Sequence, residues 1–275
     1  MKAPAFEYVR PRTLDEALSR LAGDDGAMPV SGGQSLLVLM GLRFAMAGTL
    51  VDISRLPELN RVSETQERVF LGAATTHARI EDGKVPDPSL GLMPRVANKI
   101  AYRAVRNLGT IGGSMALADS AADWPACLIA LDADLVIAGP SGERREKAET
   151  FVRGPYETGL APGELIVGID IPRRKAARWG TYKVNRKSGA FADSMAVVVD
   201  SSSDGPARIA LTGTSSHARL LRHASAWAEQ NRAPDPAALR DAVIADLEEA
   251  DPSADAYRIR CHIATVTRAL AEARA

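Results

Sequence analysis

The chain has 275 residues, 46% of them hydrophobic and 25% charged, which suits a globular protein with a sizeable core. Lys+Arg and Asp+Glu balance to a formal net charge of zero, so no general attraction to nucleic acid or an anionic membrane is expected. Two cysteines are too few for a disulfide framework or for an iron–sulfur cluster on this chain alone.

The N-terminus MKAPAFEYVRPR has no signal-peptide core and no apolar run reaches the length of a membrane span, so a cytoplasmic location is expected. Residues 13–21 read as a helix with Thr13 and Glu16 as a capping box and Leu14, Ala17, Leu18 and Leu21 on one face. A short strand through Met28, Pro29 and Val30 leads into Ser31-Gly32-Gly33-Gln34-Ser35. Residues 34–42 then suit a buried helix whose N-terminus points at whatever that loop holds, and 49–54 is a strand closing a β-loop-α-β unit. A hairpin is predicted over 58–74, a helical start at Thr75, Thr76 and His77, and a helix over 88–105 whose Arg95, Lys99 and Arg103 form a solvated face.

Residues 106–124, RNLGTIGGSMALADSAADW, read as a loop. A helix follows from Asp123-Trp124-Pro125 to about Leu131, then strands at 133–138 and 143–147 about a Gly139–Gly142 turn, and a strand over 164–172 ended by Pro172. The polar stretch 173–178 reads as a domain linker. Beyond it lie strands near 181–185, 194–200 and 207–213, a turn at 201–206, and helices over 216–230, 236–249 and 253–273. The last presents Tyr257, Cys261, Ala264, Thr265 and Leu270 to a sheet. His77, His217, His223 and His262 show neither H-E-x-x-H nor a Cys/His zinc spacing and read as surface or core histidines; no G-x-S-x-G elbow appears.

The chemistry concentrates in two glycine loops. In the second, Gly109, Gly112 and Gly113 stand beside Thr110, Ser114, Asp119 and Asp123. Glycines let backbone approach a ligand and take up positive φ, so that consecutive N–H groups turn toward one anion, while the hydroxyls add donors. A Gly-Gly pair also suits a turn or bulge, and Gly32 and Gly33 could serve only to cap a helix. The spacing is neither G-x-G-x-x-G nor a P-loop. Two such loops in one chain match two anionic groups, as a pyrophosphate presents.

Together these residues resemble the medium, FAD-binding subunit of the molybdenum hydroxylases, the group of carbon monoxide dehydrogenase and xanthine dehydrogenase. The likeness runs through AFEYVRP, SGGQSLL, LVDISRLPEL, GAATTHARIE, RNLGTIGGSMALADSAAD, PGELIVGIDIP, YKVNRKSGAFA and ARIALTG. It implies an α+β chain: the two-part FAD-binding fold of the vanillyl-alcohol oxidase and p-cresol methylhydroxylase type, followed by a smaller α+β C-terminal domain. The implied divisions are 1–56, 57–173 and 179–275. Implied FAD contacts are Ser31, Gly32, Gly33, Gln34, Ser35 and Leu36 in the first loop and Thr110, Gly112, Gly113 and Ser114 in the second. Asp123 matches a carboxylate on the flavin's polar side, Lys183 a basic residue there, and Ile100 and Ile166 apolar contacts to the ring; Thr76 and His77 fall in a segment that approaches the cofactor. Leu117, Ser120 and Asp193 depart from the residues usual in relatives.

The resemblance implies an oxidoreductase subunit that breaks no substrate bond itself. Substrate would be oxidised at the molybdenum cofactor of a large subunit, and electrons would reach FAD through [2Fe–2S] clusters of a small subunit before leaving to an external acceptor. No residue here is then expected to act as a general acid or base, and no metal is expected on this chain. Two other readings are a stand-alone FAD-dependent oxidase or reductase of the same fold, and an assembly subunit without flavin. A covalent flavin is disfavoured because neither loop holds His or Cys.

Overall fold

The computed structural model describes residues 2–200, 202–233 and 235–275. The first segment runs β1 (Glu7–Val9), α1 (Leu14–Gly23), β2 (Ala27–Val30), α2 (Leu36–Gly41) and β3 (Thr49–Asp52), with β3 between β1 and β2 and parallel to both. Thr13 starts α1 by accepting from the Glu16 N–H at 3.2 Å. Glu16 reaches back to the Arg12 N–H at 2.8 Å, one residue before the usual capping-box donor. β1 is three residues long and mostly exposed, too short to carry an alternating pattern. The helix expected over 34–42 is shorter and not buried: only Met40 is inside, joining Val30, Ala47 and Leu50, while Leu37, Val38 and Leu42 face outward. A helix of under two turns laid on one side of a small sheet covers a single face, whatever its composition.

The second segment runs α3 (Pro57–Asn60), β4 (Val62–Glu64), β5 (Arg68–Gly72), α4 (His77–Glu81), α5 (Leu92–Asn98), α6 (Arg103–Arg106), α7 (Ile111–Leu117), α8 (Asp123–Ala130), β6 (Asp134–Gly139), β7 (Gly142–Lys147), α9 (Ala148–Phe151), β8 (Val152–Gly154), β9 (Glu157–Thr158) and β10 (Leu165–Pro172). Its sheet is antiparallel in the order β4-β5-β10-β6-β7, with β10 buried from Leu165 to Ile171 at its centre. The helix expected over 88–105 is two. Ala101 turns left-handed at φ 42, and the Arg106 guanidinium donates to the carbonyls of Ile100 and Ala101 at 3.0 and 3.1 Å, taking acceptors that a continuing helix would use. Arg103, expected on a solvated face, forks onto the Asp82 carboxylate at 2.6 and 2.7 Å.

The third segment runs β11 (Trp179–Val184), β12 (Ser194–Val199), β13 (Arg208–Thr212), β14 (Arg219–Leu220), α10 (Arg222–Gln230), α11 (Pro236–Ala250) and α12 (Ala256–Arg274), its sheet antiparallel in that strand order. The helix expected from 216 begins at Arg222, because Arg219 and Leu220 pair with β13. The buried stripe of α12 is His262, Thr265, Val266, Ala269, Leu270 and Ala273; of the residues expected on it, Tyr257 and Ala264 are exposed and Cys261 is only partly buried. α12 presses on β11 so closely that a Cβ on Gly180 would stand 2.0 Å from the Ala269 carbonyl oxygen. The stretch read as a polar linker is anchored: Arg174 is buried, donating to the Leu131 and Asp204 carbonyls, and Asp204 accepts the N–H groups of Lys175, Ala176 and Ala177. Of the turn expected over 201–206, Ser202 and Gly205 bridge one another and Ser201 lies outside the described residues.

α8 ties the parts together. Each of its eight residues is buried, and its core continues from β5, β6 and β10 to Met195, Val197, Val199 and Ala210 of the third sheet. Behind that sheet lies a second core of Ala196, Val198, Ile209 and Leu211 against α10, α11 and α12. There Ser194 Oγ, His262 and Asp251 form a buried relay at 2.8 and 3.1 Å. It has the order of a nucleophile triad, but Ser194 is wholly buried and none of the three lines a described cavity. Among the described residues no helix is long and apolar enough to cross a membrane.

Candidate functional site

The C-terminal end of β2 opens into Ser31–Ser35, and the turn after α6 delivers Asn107–Thr110. These segments meet. A Cβ on Gly32 would stand 2.1 Å from the Leu108 carbonyl oxygen and 2.8 Å from Gly109 Cα, so only glycine lets the loops close on each other. Thr110 Oγ1 lies 3.3 Å from Ser31 Oγ across the same junction. Gly33 is left-handed at φ +66, which swings the chain from strand direction into α2.

A cavity of about 670 Å³ runs along this junction and between the three main sheets, well within the range of roughly 300–1,000 Å³ usual for ligand sites. Ser31, Gly32, Gly33, Gln34, Ser35 and Leu36 line it, as do Thr110, Gly112, Gly113 and Ser114. His77, Ile100, Asp123, Ile166 and Lys183 share its wall. Thr76 does not: its hydroxyl caps α4 by accepting from the Arg79 N–H at 3.3 Å. Tyr156, Leu160, Glu164 and the Gly189–Phe191 turn, none of them among the expected contacts, also line the cavity. Phe191 belongs to the KSGAF segment already matched to the family, whereas nothing local marks Tyr156. Its OH reaches Asp119 at 3.1 Å, and its backbone is left-handed at φ 59.

The two loops differ in chemistry from the expectation that both aim amides at an anion. In the second, Gly112 and Gly113 lie in the first turn of α7, and neither they nor Gly109 has positive φ. The Ile111 N–H donates to the Thr75 carbonyl at 3.0 Å, the Gly112 N–H to that of Ala73 at 3.0 Å, and the Gly113 N–H to Thr110 Oγ1 at 3.2 Å. A Cβ on Gly112 would stand 2.4 Å from Ala73 Cβ, so this glycine serves helix packing. In the first loop, none of the N–H groups from Ser31 to Leu36 has a hydrogen-bond acceptor among the described residues. That is a row of free donors on the cavity wall, joined by the Ser35 and Ser114 hydroxyls, and it fits a phosphate-bearing ligand.

At another part of the wall Lys183 Nζ donates to both Asp123 oxygens at 2.7 and 3.0 Å, the side chains being 8% and 4% exposed. β11 supplies the lysine and the first turn of α8 the carboxylate. Burial lifts the Asp123 carboxyl above its ordinary range, and the Lys183 ammonium works against that rise. His77, at the N-terminus of α4, is pushed down to about 4 by burial and then by the charge of Arg106, so the ring is neutral.

Residues 4–174 match the family model described as the FAD binding domain in molybdopterin dehydrogenase. The chain is 38% identical over 192 residues to the glyceraldehyde dehydrogenase medium chain of Sulfolobus acidocaldarius, covering 70% of this chain and 68% of that one. It is 38% identical over 218 residues to the carbon monoxide dehydrogenase medium chain of Hydrogenophaga pseudoflava, covering 77% and 76%. Its fold superimposes on a solved structure of carbon monoxide dehydrogenase from Hydrogenophaga pseudoflava with a TM-score of 0.93 and 35% identity, covering 99% of this chain and 98% of that one. Quinoline 2-oxidoreductase from Pseudomonas putida 86 gives 0.89 at 32% identity, with 100% and 98% covered.

Proposed function

Since the chain belongs to the family of FAD-binding medium subunits of the molybdenum hydroxylases, we propose that it holds FAD in the cavity between its two glycine loops and works as the electron-transfer subunit of such a complex. The observation that carries the placement is the row of unpaired N–H groups from Ser31 to Leu36. They hold the diphosphate, with hydroxyls from Ser35 and Ser114 closing on it. The packing of Gly32 on Gly109 fixes the width of that cradle.

Bound FAD supplies one- and two-electron redox chemistry between a partner's clusters and an external acceptor. This chain's residues bind, orient and screen. Ile100 and Ile166 give apolar contact to the ring. Lys183 and Asp123 set a fixed dipole beside it rather than a free charge, because each neutralises the other. The partners that fit are a large molybdopterin-binding subunit and a small [2Fe–2S] subunit, in a cytoplasmic heterotrimer. The two cysteines of this chain cannot hold a cluster, and among the described residues no group of three or more His, Cys, Asp and Glu could hold a metal ion. We read residues 1–56 and 57–173 as the two parts of a vanillyl-alcohol oxidase-type FAD fold and 179–275 as the C-terminal domain. Each segment holding one of the three main sheets supports that division.

The test is the visible spectrum of the complex purified with its partner subunits, with the acid-released cofactor identified by mass. One FAD per copy of this chain is expected. A complete but colourless complex, or one releasing FMN, would overturn the assignment.

A further inference from the structure

We propose that His77 is an uncharged hydrogen-bond donor to the anionic phosphate oxygens of the bound dinucleotide, with Trp124 as the positioning residue that fixes its tautomer. The proposal rests on the FAD reading above. His77 is 5% exposed and lines the cavity, and its Nδ1 lies 3.0 Å from the indole nitrogen of the fully buried Trp124. An indole N–H only donates, so Nδ1 must accept, and the single proton of the neutral ring stands on Nε2. Among the described residues that Nε2 has no acceptor. That nitrogen is not one of the wholly buried polar atoms left without a partner, so it opens onto the cavity that His77 lines, where whatever fills the cavity must accept its hydrogen bond. Its acceptor therefore comes from outside the chain.

The surroundings identify that acceptor. The His77 backbone N–H donates to the Gly109 carbonyl at 2.9 Å, and Nε2 lies 2.9 Å from where a Gly109 Cβ would stand. The imidazole thus sits at the closure of the two loops, which only glycine at 109 allows. Gly109 packs in turn on Gly32, the second residue in the row of unpaired amides. An oxygen arriving there meets N–H and O–H donors from several sides, which suits a phosphate. A lysine or arginine in the same place would be disfavoured by burial and by Arg106, whose own charge is already matched by Glu81 at 2.7 and 2.9 Å. Asp123 and Trp124 are successive residues, so the first turn of α8 orients two different donors on the cavity wall, a paired cation and a neutral imidazole.

The test uses the assembled complex, freed of flavin and titrated with FAD. His77→Phe removes the donor and should weaken FAD binding about 10- to 100-fold, as for a hydrogen bond to a charged group. His77→Gln carries an amide N–H to the place of Nε2 and should stay within about threefold of wild type. The ³¹P spectrum of bound FAD gives a readout that packing alone would not move. One diphosphate resonance should shift in His77→Phe and return in His77→Gln, with the flavin absorption unchanged. Trp124→Phe, lacking the indole N–H, should release the Nε2–H tautomer, read from ¹⁵N shifts of labelled histidine. Tight FAD binding by His77→Phe with an unmoved ³¹P spectrum would overturn the proposal alone. Equal loss in both His77 variants with unmoved resonances would make the residue a packing element and also overturn it. Failure of the wild-type complex itself to take up FAD would overturn the cradle and this inference together. Should His77→Phe fail to fold, the wild-type ¹⁵N spectrum decides: an Nε2–H proton unmoved on adding FAD refutes the bond.

Discussion

Replacing Lys183 by Met removes one partner of an ion pair that is almost fully out of water. The side chains of Lys183 and Asp123 are 8% and 4% exposed and share two contacts at 2.7 and 3.0 Å. Breaking a buried pair from one side costs about 3–5 kcal/mol, because the remaining charge keeps its desolvation penalty without its partner, and in a chain near this size that lowers the melting temperature by roughly 6–20 °C. The pH dependence follows from Asp123, whose folded pKa is raised by burial and held back in wild type by Lys183. Without the lysine it rises further. A raised folded pKa gives stability that is present below the unfolded carboxyl pKa and lost as pH rises through the folded value. The deficit of Lys183→Met should therefore grow between acid and pH 8. Lys183→Met combined with Asp123→Asn, which leaves no charge to strand, should recover most of the loss. Thermal unfolding followed by circular dichroism across that pH range checks all three. A single variant within about 1 kcal/mol of wild type, or a double variant no better than the single, would refute the reasoning.

Gly112→Val should fail through packing rather than through the cofactor, since even its Cβ would fall 2.4 Å from Ala73 Cβ; soluble yield and melting temperature should drop before FAD is added. His77 has a folded pKa of about 4, below its unfolded value, so its stability contribution should fade by about 3 kcal/mol as pH drops from 6.5 to 4. Urea midpoints against pH should show that slope in wild type and lose it in His77→Gln. Cys127 is buried with its thiol pushed far up, and Cys261 is partly exposed, so a thiol reagent should label one cysteine in the native chain and two after denaturation.

What could be read from the sequence was what local chemistry dictates. Thr13 and Glu16 announced α1, the Gly139–Gly142 turn announced the β6–β7 hairpin, and paired glycines announced two loops that do meet at one cavity. What escaped depended on partners distant in the chain. Gly112 and Gly113 looked like loop glycines because Ala73, against which α7 closes, is 39 residues away from the first of them. The break at Ala101 needs the Arg106 guanidinium to take its carbonyl, which no propensity reports. The apolar run of α2 looked buried because composition does not say which face a short helix turns inward. Tyr156 and the Gly189–Phe191 turn reach the cavity only through the arrangement of the sheets.

The free donors between Ser31 and Leu36 belong to the main chain, and this sets how the site tolerates change. A side-chain ligand disappears with one codon, whereas an amide survives every substitution except proline, which has no N–H. The first loop is thus encoded as a path rather than as a set of identities. Two positions guard the path, Gly32 by its closeness to Leu108 and Gly109, and Gly33 by its left-handed turn. In the proposed cradle Ser35 alone adds a side-chain donor, and the other residues of that loop are free to drift with little effect on phosphate holding. The cavity wall formed by Lys183, Asp123 and Phe191 is written in side chains, so with FAD placed as proposed an adaptation that retunes the flavin has room to act there without loosening the phosphate cradle.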